Sequence, residues 1–516
     1  MLQRPLRLGT RRSLLARAQS SAVARRLEQV HHGLKVELVG IDTRGDRITS
    51  TPLSQVDGKE FFTAEIDAAL RAGDVDLTVH SYKDLSLERP ADLHLGAVPA
   101  RENPRDIVYF AADVPQRLAS GATLRIGSSS PRRQAFVPSF LERALPQAPR
   151  VELCELRGNV DTRLRRLREP RGSERQLDGV ILAFAGLSRL WQDQAVGAAA
   201  LLRELLAGLP RMLLPLTLCP AAPAQGALAI ECRSADVDTR KLLGAIDDPA
   251  TRLDIAAERA LLAQRGGGCH QRFGATQLQV EGLGPLLYLR EAGEQGALAP
   301  ELRWTAPAPP HRPLRPWDGG TQPAPAMEPV PGVASAAERR LAGAGAAFIA
   351  HRRALPELPA AVVNQCPHLW VSGTESWFAL ASRGVWVEGC AENLGFGALR
   401  ATLASALLAL PPLREWLALT HEEAAAGWAE VPVLATYRHV GQSAAAGAPG
   451  PAGPPPDTMQ LWWHSGIQFE RFGGLAPAGC QHACGPGKTA ELLRRRGVQD
   501  LTVFPSVQHW REWLRT

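Results

Sequence analysis

Two proline-dense stretches set the firmest limit on how this chain can fold. One runs from about Thr305 to Pro331 and includes Ala306-Pro307-Ala308-Pro309-Pro310 and Pro323-Ala324-Pro325. The other runs from Gly441 to Asp457 and holds Pro449, Pro451, Pro454, Pro455 and Pro456. Each proline fixes φ and lacks an amide donor, so neither stretch suits a helix interior or a central strand. The first reads as an extended, semi-rigid linker. The 516 residues, enough for about three to four domains, are therefore expected to form a large N-terminal unit, a linker and a smaller C-terminal unit with an interrupting loop. No internal repeat of fixed period is visible.

Within the N-terminal unit, strand and helix signals alternate. Val36-Glu37-Leu38-Val39 is strand-like, and Glu60 to Leu70 reads as an amphipathic helix with Phe62, Ile66, Ala69 and Leu70 on one face. Val75 to His80 is a strand running into the polar tip Ser81-Tyr82-Lys83-Asp84. Val180 to Ala185 is a continuous apolar run, expected as a strand buried on both faces. This is α/β architecture, in which ligands bind just past the carboxyl ends of strands.

Several classes fall away. Hydrophobic residues make up 45% and charged residues 21%, enough for a packed core. No apolar run approaches the ~18 residues of a membrane span, and Met1 to Arg7 leads into a strand-like segment with no signal-peptide core. Eight cysteines are too sparse for a disulfide scaffold, so a reducing cytoplasm is expected. Cys480, His482 and Cys484 lack a second pair at zinc-like spacing, so no metal is expected. Gly487-Lys488-Thr489 ends like a phosphate-binding loop, but position 482 is His where that loop needs its first glycine, which excludes ATP binding.

Arginine usage is skewed, with 53 arginines against five lysines. Most of that excess is expected as background. The exceptions lie in four segments read as strand ends: Gly9-Thr10-Arg11-Arg12-Ser13, Gly127-Ser128-Ser129-Ser130-Pro131-Arg132-Arg133, Leu156-Arg157-Gly158-Asn159-Val160-Asp161-Thr162-Arg163 and Gly186-Leu187-Ser188-Arg189. Small hydroxyl residues at a helix start, with arginines in its first turn, make an anion site. A nucleic-acid binder would share the basic balance, yet aromatics are only 6% and the arginines do not line one helix. A two-lobed anion-binding protein without catalysis would share the fold and the arginines.

The order of motifs resembles the hydroxymethylbilane synthases, also called porphobilinogen deaminases. The matching segments begin with Thr43-Arg44-Gly45-Asp46, Gly58-Lys59-Glu60-Phe61-Phe62, His80-Ser81-Tyr82-Lys83-Asp84 and Ser128-Ser129-Ser130-Pro131-Arg132-Arg133-Gln134. They continue with Leu156-Arg157-Gly158-Asn159-Val160, Ala185-Gly186-Leu187, Ala224-Gln225-Gly226-Ala227 and Gly266-Gly267-Gly268-Cys269. The resemblance covers roughly residues 4 to 290. It implies two periplasmic-binding-protein-like lobes, 1–100 with 222–240 returning and 101–221, followed by a small α+β cysteine-bearing domain over 241–304. It further implies a cytoplasmic, monomeric transferase that joins four porphobilinogen molecules with loss of ammonia, on a dipyrromethane cofactor attached to Cys269.

By the same resemblance, Asp84 is the catalytic carboxylate. It would stabilise the cationic azafulvene left when ammonia departs and move protons at the pyrrole nitrogen. Lys83, Ser129, Ser130, Arg132, Arg133, Arg157 and Asn159 would hold the cofactor. Arg11, Ser13, Lys59, Arg163, Arg189 and Gln225 would hold the substrate, since arginine forks match its acetate and propionate. Gln55 departs from members that carry another lysine in the loop over the active site. After Arg290 the family continues with another strand and a long helix, whereas this chain reaches Glu301-Leu302-Arg303-Trp304 and then the linker. The cysteine-bearing domain is either truncated or completed by the helix-like stretch from Ser335.

Beyond the linker at 305–334, residues 335–516 resemble uroporphyrinogen-III synthase more loosely, as a second two-lobed α/β unit. Its expected strand-to-turn segments are Ala347-Phe348-Ile349 before His351-Arg352-Arg353, Leu369-Trp370-Val371 before Ser372, Val433 to Arg438, and Leu461-Trp462-Trp463 before His464-Ser465-Gly466. Tyr437, Ser465 and Thr489 are its matching positions. The resemblance implies a lyase that closes hydroxymethylbilane to uroporphyrinogen III, making the chain bifunctional; a non-catalytic lobe pair is the alternative. No nucleic-acid or membrane partner is expected.

Overall fold

The structure, a computed structural model, describes residues 4–43, 63–193, 197–267, 271–308, 315–319, 326–440 and 453–516. The chain opens with β1 (Leu6–Arg11), β2 (Val36–Ile41), β3 (Leu77–Ser81) and β4 (Leu93–Ala97). It crosses to a second sheet of β5 (Asp106–Phe110), β6 (Leu124–Gly127), β7 (Val151–Cys154), β8 (Gly179–Ala183) and β9 (Arg211–Leu213), then returns as β10 (Leu228–Arg233). The first lobe has strand order β2-β1-β3-β10-β4 and the second β7-β6-β8-β5-β9. In each lobe the antiparallel strand is the one that has just crossed over, β10 and β5 respectively. The result is a pair of periplasmic-binding-protein-like α/β lobes joined by two crossing segments.

A small α+β unit follows. The helix Pro249–Ala263 packs on an antiparallel sheet of β11 (Phe273–Val280), β12 (Gly284–Gly293) and β14 (Glu301–Trp304), with β13 (Gly296–Ala297) on the end of β12. Helix start signals act locally here: Asp248 accepts from the Thr251 amide, and Pro249 takes the first helical position.

The proline-rich segment expected as a bare linker instead supplies two short strands, β15 (Pro316–Trp317) and β16 (Ala326–Pro329). Next come β17 (Ala346–Ile349), β18 (Leu369–Val371), β19 (Gly389–Cys390), β20 (Trp416–His421), β21 (Val433–Val440), β22 (Gln460–Trp463), β23 (Gln481–Cys484) and β24 (Leu501–Val503). The third lobe has order β16-β21-β20-β17-β18-β19, with β16 antiparallel to β21, and the fourth is the parallel sheet β15-β22-β23-β24. Both new strands sit at sheet edges, where a proline's missing amide costs no ladder bond. The helix Val333–Ala342 packs on β21 in the third lobe, apart from the small unit. Fully buried Trp370, Trp377, Trp416, Trp463 and Trp510 fill the cores of these two lobes. Among the described residues no single helix is long and apolar enough to cross a membrane.

Two other boundaries differ from expectation. Strand β8 stops at Ala183, and Phe184 opens the helix Phe184–Gln192, so Gly186-Leu187-Ser188-Arg189 lies within a helix and not past a strand end. Phe184, Leu187 and Leu190 are buried at helical spacing, and an unbroken apolar run cannot distinguish that from a strand. The helix expected over 60–70 is seen as Ala64–Ala72, closed by Gly73 at φ +78; positions 60–62 lie outside the described residues.

Candidate active site

The turn after β3 is the centre of the site. Tyr82-Lys83-Asp84 forms one 3-10 turn, which leaves the Asp84 side chain exposed. Arg259, from the helix Pro249–Ala263, fixes that turn. Its guanidinium donates to the carbonyls of Tyr82 (3.3 Å), Leu85 (3.1 Å) and Ser86 (2.7 Å), and lies 4.5 Å from the centre of the Tyr82 ring.

Lys83 points the other way, towards a buried polar chain. Its Nζ donates to Gln225 Oε1 (3.3 Å), and Gln225 Nε2 donates to Asp106 Oδ1 (2.8 Å) and the Pro104 carbonyl (2.7 Å). Asp106 opens β5 and is fully buried. It accepts from Arg132 (2.6 Å) and Arg133 (2.7 Å), both in the first turn of the helix Pro131–Ala144, which Ser130 caps. Burial opposes the charge on Asp106, but the two arginines outweigh it and hold the carboxyl well below the usual range. Burial also lowers the Lys83 pKa, with Arg133 and Arg132 acting the same way against Asp84 and Asp106.

Arg132 and Arg133 therefore spend their terminal nitrogens inside the protein, on Asp106 and on the carbonyls of Pro220 (2.8 Å) and Ile181 (3.0 Å). Among the described residues, their Nε atoms are buried with no hydrogen-bond partner. Arg163 differs: its Nε donates to the Gly158 carbonyl (2.7 Å). Burial and the neighbouring Arg133 push Arg163 down to about 10, and Asp84 opposes them, which puts all three in one electrostatic field. Arg189 donates to the Gly226 carbonyl (2.6 Å), and burial lowers it to about 10 against the charge of Glu102.

The other expected residues are placed as follows. Ser129 donates to the Leu156 carbonyl (2.5 Å), tying the start of one helix to the segment before the next. Arg157 pairs with Glu155 (3.2 Å), and Asn159 precedes the helix Val160–Arg165 without a side-chain cap bond. Arg11 ends β1, and Ser13 caps the helix Leu14–Val30, accepting from the Ala16 amide. Lys59, Gln55 and Cys269 lie outside the described residues.

Asp106 and Arg259 escaped the sequence reading. The only local signal for Asp106 was an acid opening the apolar run Ile107-Val108-Tyr109-Phe110. A further buried group lies beneath the site: the ligand atoms of Asp67, His80 and Glu231 are mutually within 4.8 Å. Arg89 supplies the cation there, donating to Asp67 (2.8 Å) and to both oxygens of Glu231 (3.0 and 2.7 Å). Burial pushes His80 down to about 4.

In the C-terminal unit, Tyr437 on β21 is nearly buried beside His421, with ring centres 5.6 Å apart. Ser465 caps the helix Gly466–Phe472, and Thr489 lies in the first turn of the helix Lys488–Arg495. Tyr437 belongs to the third lobe, whereas Ser465 and Thr489 belong to the fourth.

Comparison with known proteins bears on the first part of the chain. Residues 6–241 match the family model "Porphobilinogen deaminase, dipyromethane cofactor binding domain". A porphobilinogen deaminase of Roseiflexus castenholzii is 42% identical over 290 residues, which span 56% of this chain and 86% of that protein. One from Acidothermus cellulolyticus is 43% identical over 275 residues, 52% of this chain and 74% of the relative. This chain belongs to the porphobilinogen deaminase family. Among solved structures, the VFT2 domain of Bordetella pertussis BvgS overlies 50% of the chain and 92% of its own length at 16% identity and TM-score 0.25. YhfZ of Shigella flexneri overlies 52% and 99% at 14% identity and TM-score 0.23.

The family's cofactor is dipyrromethane, and this deaminase's residues fit it. Gly267, two residues before Cys269, has φ +70, and a Cβ there would lie 2.8 Å from Leu87 Cδ1. Gly267 thereby lies close against Leu87, in the loop that follows Asp84. The unpartnered Nε atoms of Arg132 and Arg133, with desolvated Arg163 beside them, give the surroundings an excess of positive charge suited to a group that carries carboxylates.

Proposed function

We propose that residues 4–304 condense four porphobilinogen molecules into hydroxymethylbilane, losing one ammonia per step, on a dipyrromethane primer attached to Cys269. The observation that carries this reading is the exposed acid Asp84 sharing its field with Lys83, Arg133 and Arg163. When bound, the primer supplies the nucleophilic pyrrole carbon. Asp84 holds and moves a proton at the pyrrole nitrogen of the incoming ring and stabilises the positive charge that appears there as ammonia leaves. Arg11, Ser13, Arg163 and Arg189 take the acetate and propionate of that ring. Arg157, Asn159, Ser129, Ser130 and Lys83 take the carboxylates of the bound chain. Arg132 and Arg133, locked on Asp106, set the potential of the cleft, and Gln225 orients Lys83. Lys59 keeps the substrate role that the resemblance implies. Intact mass of the purified protein tests the reading: two added pyrrole units support it, and an unmodified mass in an active preparation overturns it.

For the C-terminal unit we infer closure of the linear product to uroporphyrinogen III, with Tyr437, Ser465 and Thr489 facing the substrate. Its two α/β lobes support this reading. The non-catalytic alternative draws on the division of those three residues between the two lobes. Supplying porphobilinogen and separating the product isomers discriminates the two, since excess type III over type I requires enzymatic closure.

A further inference from the structure

The sheet of the small α+β unit has two apolar faces. Side chains alternate along β12, so Leu287 and Leu289 point to one side and Leu286 and Tyr288 to the other. The register carries both faces across the sheet. Ala275 lies opposite Leu289, whereas Leu278 and Trp304 lie opposite Leu286, and Leu302 opposite Tyr288. Each apolar face has to be buried against another element. The helix Pro249–Ala263 covers the first, its Leu261 and Leu262 packing with Phe273, Ala275 and Leu289.

The layer over the second face comes largely from the far end of the chain. Buried Leu286 and Tyr288 share one cluster with Leu461, Trp463, Leu493 and Val503 of the fourth lobe, joined by Leu216 from the segment after β9. The Trp304 and Phe504 rings pack with centres 5.0 Å apart. His509 Nε2 lies 3.3 Å from the Leu302 carbonyl oxygen, and Trp513 Nε1 donates to the Pro307 carbonyl (2.8 Å) just beyond β14. At the other end of this face the second lobe takes over: Arg290 lies over the Phe136 ring (5.1 Å) and donates to the Leu218 carbonyl (2.6 Å). The third lobe is seated elsewhere, on the second, where Trp377 packs edge-on to Phe140 (5.2 Å) and the buried Arg105–Glu392 pair crosses the contact (2.5 Å).

From the backed sheet a short path leads to Asp84. On the first face, buried Glu258 accepts from the Gln277 amide of β11 (2.6 Å), from the Ala224 amide (2.7 Å) and from Arg101 (2.6 and 3.0 Å). One turn earlier, Asp254 accepts from the side chains of Gln277 (2.8 Å) and Gln279 (2.6 Å). The helix is thus pinned to β11, and its next residue, Arg259, holds the backbone of the Tyr82-Lys83-Asp84 turn.

We propose that the fourth lobe is a structural layer of the deaminase: by backing the small unit's sheet it fixes the helix Pro249–Ala263 and, through Arg259, the position of Asp84. Trp304 and Phe504 are positioning residues in this scheme, acting through Arg259 and not on the substrate. The proposal rests on the deaminase reading above and holds whether or not the C-terminal unit closes the ring. It gives a lobe pair without catalysis of its own a reason to be retained.

Steady-state kinetics of the full-length holoenzyme test the proposal. Trp304→Ala should lower kcat for porphobilinogen consumption about tenfold. KM should stay unchanged, because a misplaced acid weakens the transition state and not substrate binding. Trp304→Phe keeps a ring against Phe504 and should recover to within about twofold of the wild type. Phe504→Ala leaves residues 1–304 unaltered; it should reproduce the loss, and it decides alone if Trp304→Ala does not fold. Arg303→Ala, on the exposed face of the same strand, should keep the wild-type kcat. A wild-type kcat in Phe504→Ala, a raised KM at constant kcat, or an undiminished loss in Trp304→Phe overturns the proposal. Failure of the deaminase reading itself would show separately, in the wild type, as a missing pyrrole adduct and no consumption of porphobilinogen.

Discussion

Asp84 and Asp106 are both acids near the same cations, and their surroundings assign them opposite work. Asp84 is exposed on a turn whose backbone Arg259 holds, so removing its side chain costs little packing. Asp84→Ala is expected to keep the fold and the pyrrole adduct while lowering turnover by about 100-fold or more, as loss of a general acid–base group does; steady-state ammonia release measures it. Asp106 is buried between two arginines. Asp106→Asn leaves those charges buried and undercompensated, a change that costs about 3–5 kcal/mol, so urea unfolding should shift to lower concentration even if the adduct persists. The two acids were not equally visible. Asp84 lies inside a sequence motif, but Asp106 opens an apolar strand, and its partners 26 and 27 residues away are brought to it only by the fold.

At the level of elements, the packing under β3 makes stability depend on pH. His80 has an ordinary pKa of 6.5 and is lowered to about 4 by burial. The unfolded chain therefore binds a proton before the folded one. The stability His80 contributes is full above about 6.5 and is lost as the pH falls towards 4, on the order of 3 kcal/mol in total. His80→Asn should flatten the slope of unfolding free energy over that window, measured by urea titration at each pH. Gly267 supplies a second test. Alanine there must adopt φ +70 and displace Leu87, which should cost about 1–2 kcal/mol and reduce the fraction of protein carrying the pyrrole adduct. Strand β3 and the helix Pro131–Ala144 were legible because periodicity and capping residues are local properties. The helix at Arg189 and the edge strands within the proline-rich segment were not, because tertiary neighbours and a free sheet edge decided them.

Across the whole molecule, the C-terminal lobes are built into the deaminase surface. Trp377 is fully buried between Phe140 and its own lobe. Trp377→Ala should lower stability by about 3–5 kcal/mol and split a shared unfolding transition into two, visible by calorimetry. Sequence order gave the sheets on either side of the linker, but nothing local in either half encodes the Arg105–Glu392 pair, whose members are 287 residues apart.

The tryptophans that fill the third and fourth lobes have an optical consequence. Of the chain's twelve, Trp191 alone precedes residue 304. Intrinsic emission therefore carries almost no signal from the candidate cleft around Asp84, and a fluorescence trace of this protein reads mainly the far half of the molecule, where Lys488 lies over Trp428.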